Sequence, residues 1–545
     1  MTRIFSRRAF LAGGAGLGAT MLPQSEATGA EVPAFELDEA TVADLQAGMA
    51  SGKYTAQSLA ELYLQRIERV DWQGPSLRSV LEINPDALDI ARKVDAERAA
   101  GKLRGPLHGI PVLLKDNIGT ADRMETTAGS LALVGARPAH NAPLATCLIA
   151  AGAVLLGKTN LSEWANFRST HSVSGWSGRG GQTRNPYALD RSPSGSSSGS
   201  GAAIAANLAA LAVGTETDGS ILSPSAANSL VGIKPTVGLI SRTGVIPIAH
   251  SQDTAGPMAR TVRDAAILLG ALVCADPADA ATQMKTRRSH ADYTPFLDPH
   301  GLKGKRIGIT RKQFFGYSAP TDHIATEAIE VLKKAGAVIV DPADIPSAGK
   351  FDADELIVLL YEFKADLNRY LSGLGPNARV HSLQEVIAFN DQEKAAEMPF
   401  FGQEHMLKAE ELGPLTTPAY KKALARCGKL SRAQGIDAVM NEHQLDALFA
   451  PTQGPVWMID LANGDSGGGS STTPAAVSGY PSITVPAGYY YGLPVGVSFF
   501  GRPWSEPTLI EIAYAFEQAT QVRRPPKFAP TAAFPTLPRA SGRGA

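Results

Sequence analysis

Residues Ser192 to Ser225 read SPSGSSSGSGAAIAANLAALAVGTETDGSILSPS. They run from serines and glycines through a segment rich in alanine and leucine into a polar loop that ends at Ser220. Upstream, 81 residues before Ser196, the chain reads Gly109-Ile-Pro-Val-Leu-Leu-Lys115-Asp-Asn117. A serine hydroxyl attacks well only when a neighbouring base takes its proton, and a lysine is that base only when neutral. Lys115 follows Ile110 to Leu114, an apolar run with the pattern of a buried strand, so its amine emerges beside low-dielectric protein, where desolvation favours the neutral form. The Gly/Ser stretch Ser194 to Gly201 is predicted to be a loop that opens into a helix over Ala202 to Val213. In the following loop, Gly214 to Ser220, the successive backbone N–H groups of Thr217, Asp218 and Gly219 are placed to form an oxyanion hole, with Ser220 at its end as nucleophile. Read from composition alone, such a loop is more often a linker or turn, and a lysine at a strand end is more often solvated.

The blocks resemble the amidase signature family of serine hydrolases, which uses a Ser-Ser-Lys triad. Gly109 to Asn117 resembles its lysine strand, Gly195-Ser196-Ser197 with Gly199 its Gly/Ser loop, and Gly214 to Ile221 its nucleophile loop, with the family's 24-residue spacing between Ser196 and Ser220. Gly157 to Asn160, Gly181 to Pro186, Gly232 to Thr236, Asp253 to Met258, Gly479 to Pro481 and Leu493 to Gly496 also look familial, so the likeness runs from Gly109 to about Gly501. Asn160 to Phe167 and the Glu-Thr-Asp-Gly-Ser loop are most similar to the bacterial peptide amidases, which hydrolyse C-terminal carboxamides. There are three departures from the commoner pattern: Glu216 stands for an aspartate, Asp218 for a glycine and Leu222 for an arginine. Asp218 is expected to present its N–H, not its carboxylate, to the oxyanion.

The resemblance implies that neutral Lys115 accepts a proton relayed through Ser196 from Ser220, which attacks the amide carbonyl. It also implies that the backbone N–H groups of Thr217, Asp218, Gly219 and Ser220 hold the oxyanion, that water releases an acyl-enzyme, and that the Gly195-Ser196 peptide bond is cis. The substrate is expected to be a small-molecule or peptide amide, first of all a peptide C-terminal amide; a broad acylamidase or aryl-amide hydrolase with esterase activity is the alternative. No cofactor and no obligate protein partner are implied.

The fold class expected is α/β: one large domain over residues 31–545, a mixed many-stranded sheet covered by helices. Helical patterns over Thr41 to Ile67 and Pro85 to Ala100 alternate with short apolar strands at Arg306 to Thr310, Ala337 to Val340 and Ser482 to Val485. The stretch from Gly304 to Gln444 is mostly helical, with amphipathic candidates at Leu356 to Leu371 and Leu383 to Asn390; in the family such a region helps wall the substrate channel. Gly464 to Thr473 reads as a flexible loop at its mouth or as a surface linker, and Arg539 to Ala545 as disordered.

Two other motifs compete. Gly195-Ser-Ser197-Ser-Gly199 fits the G-x-S-x-G elbow with Ser197 as nucleophile, but Pro193 and its polar neighbours stand where that motif needs a buried strand. Gly152 to Thr159 fits the phosphate-loop pattern of a nucleotide-binding protein, yet the apolar strand Ala153 to Leu156 occupies the supposed loop. No metal site is expected: the ten histidines are scattered, and Cys147, Cys274 and Cys427 lie far apart. Three cysteines give no disulfide framework. His250 and His171 lie near familial blocks and are assigned no role.

Ser6-Arg7-Arg8-Ala9-Phe10-Leu11 is a twin-arginine pattern, followed by a short apolar stretch to Leu22 and a cleavage pattern at Thr28-Gly29-Ala30. Residues 1–30 are therefore expected to be a Tat export signal, and the mature enzyme to be periplasmic or secreted with no membrane anchor. That location argues against the family's cytosolic tRNA-dependent amidotransferase subunits. Formal net charge is −1, or −3 without residues 1–30, which offers no basic surface for nucleic acid or anionic lipid.

Overall fold

The computed structural model describes residues 32–533. The twin-arginine segment and the Arg539 to Ala545 tail lie outside the described residues. The described residues form thirteen strands: β1 (Val80–Ile83), β2 (Pro111–Lys115), β3 (Val154–Thr159), β4 (Trp176–Ser177), β5 (Gly181–Gln182), β6 (Leu211–Glu216), β7 (Val231–Lys234), β8 (Thr254–Ala259), β9 (Arg306–Ile309), β10 (Val338–Val340), β11 (Ala447–Pro451), β12 (Ser482–Tyr490) and β13 (Leu493–Phe500). Eleven of them make one sheet in the order β1-β3-β2-β6-β8-β7-β12-β13-β11-β9-β10, while β4 and β5 pair as a separate ribbon. The sheet is mixed: β3, β2 and β6 are parallel neighbours, as are β11, β9 and β10, and the ladders between those groups are antiparallel. β2, β3 and β6 are buried along their whole length. They read as near-continuous apolar runs because helices cover both faces.

The sequence expectation of a mixed sheet in a single α/β domain holds, and the strands at 306, 338 and 482 fall where the apolar runs placed them. The helix expected over Ala202 to Val213 does not. It spans Ser198–Ala205 and stops before Asn207, whose φ is +58°. The side chain of Asn207 locks that break: Nδ2 donates to Asp38 and Glu39 and Oδ1 accepts the Glu39 N–H, all at 2.9–3.0 Å. The residues from Leu211 onward then enter the sheet between β2 and β8, a packing gain that overrides their helix propensity. Consequently Gly214, Thr215 and Glu216, expected in a loop, end a strand.

The pattern over Thr41 to Ile67 resolves into two helices, Val42–Ala50 and Ala56–Arg66, separated at Gly52 and capped by Thr41 and Thr55. The cysteine reading is also corrected: Cys147 and Cys274 form a disulfide across 127 residues, leaving Cys427 free and buried. Spacing conceals this pair, because the helices that carry or precede its members, Pro143–Ala150 and Val262–Leu272, meet only in the folded chain.

The helical region between residues 304 and 444 is built on the Asp352–Ser372 helix. Leu360, Phe363 and Leu367 on that helix share an apolar cluster with Ala128, Trp164 and Ile248. This contact seats the helical region over the edge of the sheet where β2 and β6 end.

Candidate active site

Because β2 and β6 run parallel with Leu114 opposite Val213, their carboxyl ends deliver Lys115 and Thr215 to the same place, the edge at which open α/β sheets gather their functional groups. Lys115 is wholly buried. Its Nζ lies 2.8 Å from Ser196 Oγ, 2.9 Å from Thr215 Oγ1 and 3.2 Å from the Thr215 carbonyl. Burial lowers the amine to about 7, against a smaller opposing pull from Asp253 and Glu216. Asn117, two residues on, donates from Nδ2 to Thr215 Oγ1 at 2.9 Å and so fixes that hydroxyl.

Ser196 is buried at the mouth of the Ser198–Ala205 helix, and the Gly195–Ser196 peptide is cis. Beside it Ser197 Oγ donates to the Thr215 carbonyl at 3.0 Å and accepts the Thr215 N–H at 3.2 Å, while the Ser197 N–H donates to the Ser220 carbonyl at 3.1 Å. The hydroxyl that a G-x-S-x-G elbow would need is therefore engaged by backbone, and no strand precedes it. Ser197 instead ties the Gly/Ser loop to the loop that carries Ser220.

That second loop, Thr217 to Ile221, is fixed by side chains on every side. Glu216 Oε2 accepts the Ile221 and Leu222 N–H groups at 2.7 and 2.9 Å. Thr217 Oγ1 donates to Asp253 Oδ1 at 2.6 Å, and Asp253 Oδ2 accepts the Ile248 and Ala249 N–H groups at 2.9 Å. Burial lifts the Asp253 carboxyl to about 6. Gly219 supplies the left-handed turn, φ +79°. The Asp218 carboxylate accepts hydrogen bonds from Thr472 and Thr473 at 2.6 and 2.7 Å, so it is engaged by the start of the Thr473–Ser478 helix. The N–H groups of Thr217, Asp218, Gly219 and Ser220 find no acceptor among the described residues. Backbone donors left unpaired on a braced loop are the kind of group an oxyanion hole uses.

Sequence reasoning placed Lys115, Ser196 and the Thr217 to Ser220 loop, and the fold brings all of them to one edge. It assigned nothing to Thr215, Asn117, Asp253 or Glu216. Each sits inside a block that was read, and the available signal was a polar residue closing an apolar strand or opening one. Lys158, the lysine of the phosphate-loop pattern, is buried with Nζ donating to the Ile118 carbonyl and Thr126 Oγ1 at 2.6 and 2.9 Å. It is held inside the protein, and the nucleotide reading falls. His250 meets Glu362 and Asp366 of the Asp352–Ser372 helix, with Nδ1 2.7 Å from Asp366 Oδ2. The Ser251 N–H and Tyr420 hydroxyl already satisfy Glu362, so this cluster is a hydrogen-bonded clamp between two segments.

The amidase family model matches residues 58–510. The chain is similar to the "native peptide amidase from Stenotrophomonas maltophilia", at 53% identity and TM-score 0.87, over 91% of this chain and 100% of that one. A peptide amidase solved with the competitive inhibitor chymostatin superposes at TM-score 0.88 with 54% identity, over 90% of this chain and 100% of that one. An Arabidopsis thaliana protein described as "Probable amidase At4g34880" is 46% identical over 506 residues, 91% of this chain and 92% of its own length.

Proposed function

Since the chain belongs to the amidase signature family and hydrolyses amides as that family does, we propose that it deamidates the C-terminal carboxamide of peptides through Ser220, Ser196 and Lys115. The observation that carries this reading is the environment of Lys115 Nζ. A neutral amine has two N–H donors and one lone pair. Thr215 Oγ1 and the Thr215 carbonyl take the two donors, and the Ser196 hydroxyl, 2.8 Å away, faces the lone pair.

As the Ser220 oxygen attacks the carbonyl carbon, its proton passes to Ser196 Oγ, and the Ser196 proton passes to Lys115 Nζ. The carbonyl oxygen gains the negative charge and is held by the N–H groups of Thr217, Asp218, Gly219 and Ser220. Collapse breaks the C–N bond, and the same relay in reverse protonates the leaving nitrogen, which departs as ammonia. Water then attacks the Ser220 ester, again deprotonated by the relay, and the carboxylic acid leaves. No cofactor, nucleic acid or partner chain enters any step.

The preference for peptide amides is supported by the identity to peptide amidases over nine-tenths of the chain. Export through residues 1–30 to the periplasm or beyond, with residues 31–545 as the catalytic domain, is supported by the twin-arginine sequence and by the Cys147–Cys274 disulfide, a bond characteristic of oxidising compartments.

The test is mass-spectrometric turnover of peptide amides, the matching free-acid peptides and acyl anilides by the purified chain, beside Ser220→Ala. Ammonia release from the peptide amides, absent in the variant, is expected. Cleavage of anilides alone moves the assignment to a general acylamidase, and undiminished turnover by Ser220→Ala removes Ser220 as nucleophile.

A further inference from the structure

A second lysine lies behind the nucleophile loop, and the mechanism above does not use it. Lys234 ends β7 and is wholly buried. Among the described residues its Nζ donates to one acceptor, the Pro235 carbonyl, at 3.1 Å. Burial pushes its amine down to about 8, against the opposing pull of Glu216, Glu506 and Asp218; Gly232 and Ala212 both pair with Met258, so Lys234 and Glu216 stand on one face of the sheet with only Gly256 between their strands. Glu216 Oε1 and Glu506 Oε2 are both buried without a hydrogen-bond partner. Their other oxygens hold backbone: Glu216 Oε2 takes the Ile221 and Leu222 amides, and Glu506 Oε1 takes the Thr236 amide at 2.7 Å. The Ile221 side chain and the Pro235 ring close over Gly256, where a Cβ would lie 3.1 Å from each, so the end of β7 abuts the Ser220 loop directly. Leu222, two residues after Ser220, brings no charge to this region.

A buried carboxylate without a cation protonates, and a protonated Glu216 would accept the Ile221 and Leu222 amides more weakly. We infer that Lys234 is a positioning residue for Ser220: its ammonium keeps Glu216 ionised, and ionised Glu216 holds the two amides that set the nucleophile loop. This rests on the proposed role of Ser220. The same carboxylate favours protonation of Lys115, so Lys234 also acts, through Glu216, on the base.

A double-mutant cycle tests the coupling of Lys234 to Glu216. Lys234→Met, and Lys234→Gln as a second variant in case the first does not fold, are measured alone and on a Glu216→Gln background, with KM, kcat and pH profile recorded for each. Lys234→Arg, which keeps the charge, should recover part of the loss. With Lys234→Met or Lys234→Gln, kcat should fall about tenfold while KM stays within about twofold, the signature of a disturbed transition state rather than lost binding. The acid limb of the profile should move to lower pH, because a neutralised Glu216 no longer supports the Lys115 ammonium. On the Glu216→Gln background the Lys234 substitution should change kcat by less than about threefold. An unchanged kcat in the single variants, or the full loss persisting on the Glu216→Gln background, overturns the inference. Full activity in Ser220→Ala would instead overturn the reading on which it rests.

Discussion

Lys115 Nζ and Ser196 Oγ stand 2.8 Å apart across 81 residues of chain, an amine and a hydroxyl with no carboxylate between them. A lysine ordinarily titrates near 10.5, and burial brings this one to about 7. The base is therefore competent only above that value. kcat/KM for a peptide amide should rise with pH along a limb near neutrality, the limb belonging to the coupled triad rather than to one group. A profile flat from mildly acidic to alkaline pH, with chemistry shown to be rate-limiting, contradicts a neutral-lysine base.

The same burial makes Lys115 a source of instability. Its folded value lies below its unfolded one, so between about pH 7 and pH 10.5 the unfolded chain binds more protons and stability rises with pH; below about 7 the full penalty applies. Lys115→Met removes the penalty along with the activity. Urea melts at pH 7 should show the variant more stable by roughly 1–3 kcal/mol after allowance for the hydrogen bonds it loses, and the gap should narrow at pH 9. A variant less stable than the parent at pH 7 would show that those hydrogen bonds outweigh the desolvation.

Gly219 shapes the proposed oxyanion loop by a conformation that L side chains resist. At φ +79°, an added Cβ would also approach Ser223 Oγ and Thr472 Oγ1 to 3.0 Å. Gly219→Ala should strain the turn by about 1–2 kcal/mol and tilt the Asp218 to Ser220 amides away from the oxyanion. The expected result is a fall in kcat of roughly ten- to a hundredfold with little change in KM. An equal loss of affinity and rate would place Gly219 in substrate binding instead.

How far the sequence carried the reading follows from how local each determinant is. Lys115 was legible because five apolar residues precede it and burial alone sets its chemistry. The Thr217 to Ser220 loop was legible because glycine and short polar residues mark a turn. The end of the Ser198–Ala205 helix was not: alanine and leucine continue past it with good helix propensity, and what stops it is Asn207 bonded to Asp38 and Glu39, some 168 residues away. Glu216 was visible only as a departure from a motif, since its partners are backbone amides that close on it in the fold. Asp218 raised a question of orientation that depended on Thr472 and Thr473, about 254 residues later.

The Cys147–Cys274 bond links the stability of the fold to the proposed route of the chain. It closes a loop of 127 residues, long enough that in the chain-entropy model the constraint on the unfolded state amounts to several kcal/mol, with about 2–4 kcal/mol the usual yield. Cys147→Ser should therefore unfold at lower temperature or denaturant than the parent, while activity of the folded fraction stays unchanged because neither cysteine touches the Lys115 site. If the chain is exported, the bond should form only in protein that has crossed the membrane. Alkylation of denatured protein followed by mass measurement should then find one free thiol, Cys427, in the exported enzyme. A chain held in the cytoplasm by Arg7→Lys and Arg8→Lys should instead show all three cysteines free, because that compartment keeps thiols reduced. Three free thiols in both samples would remove the disulfide and the support it lends to export; a bonded pair in both would detach the disulfide from the question of location.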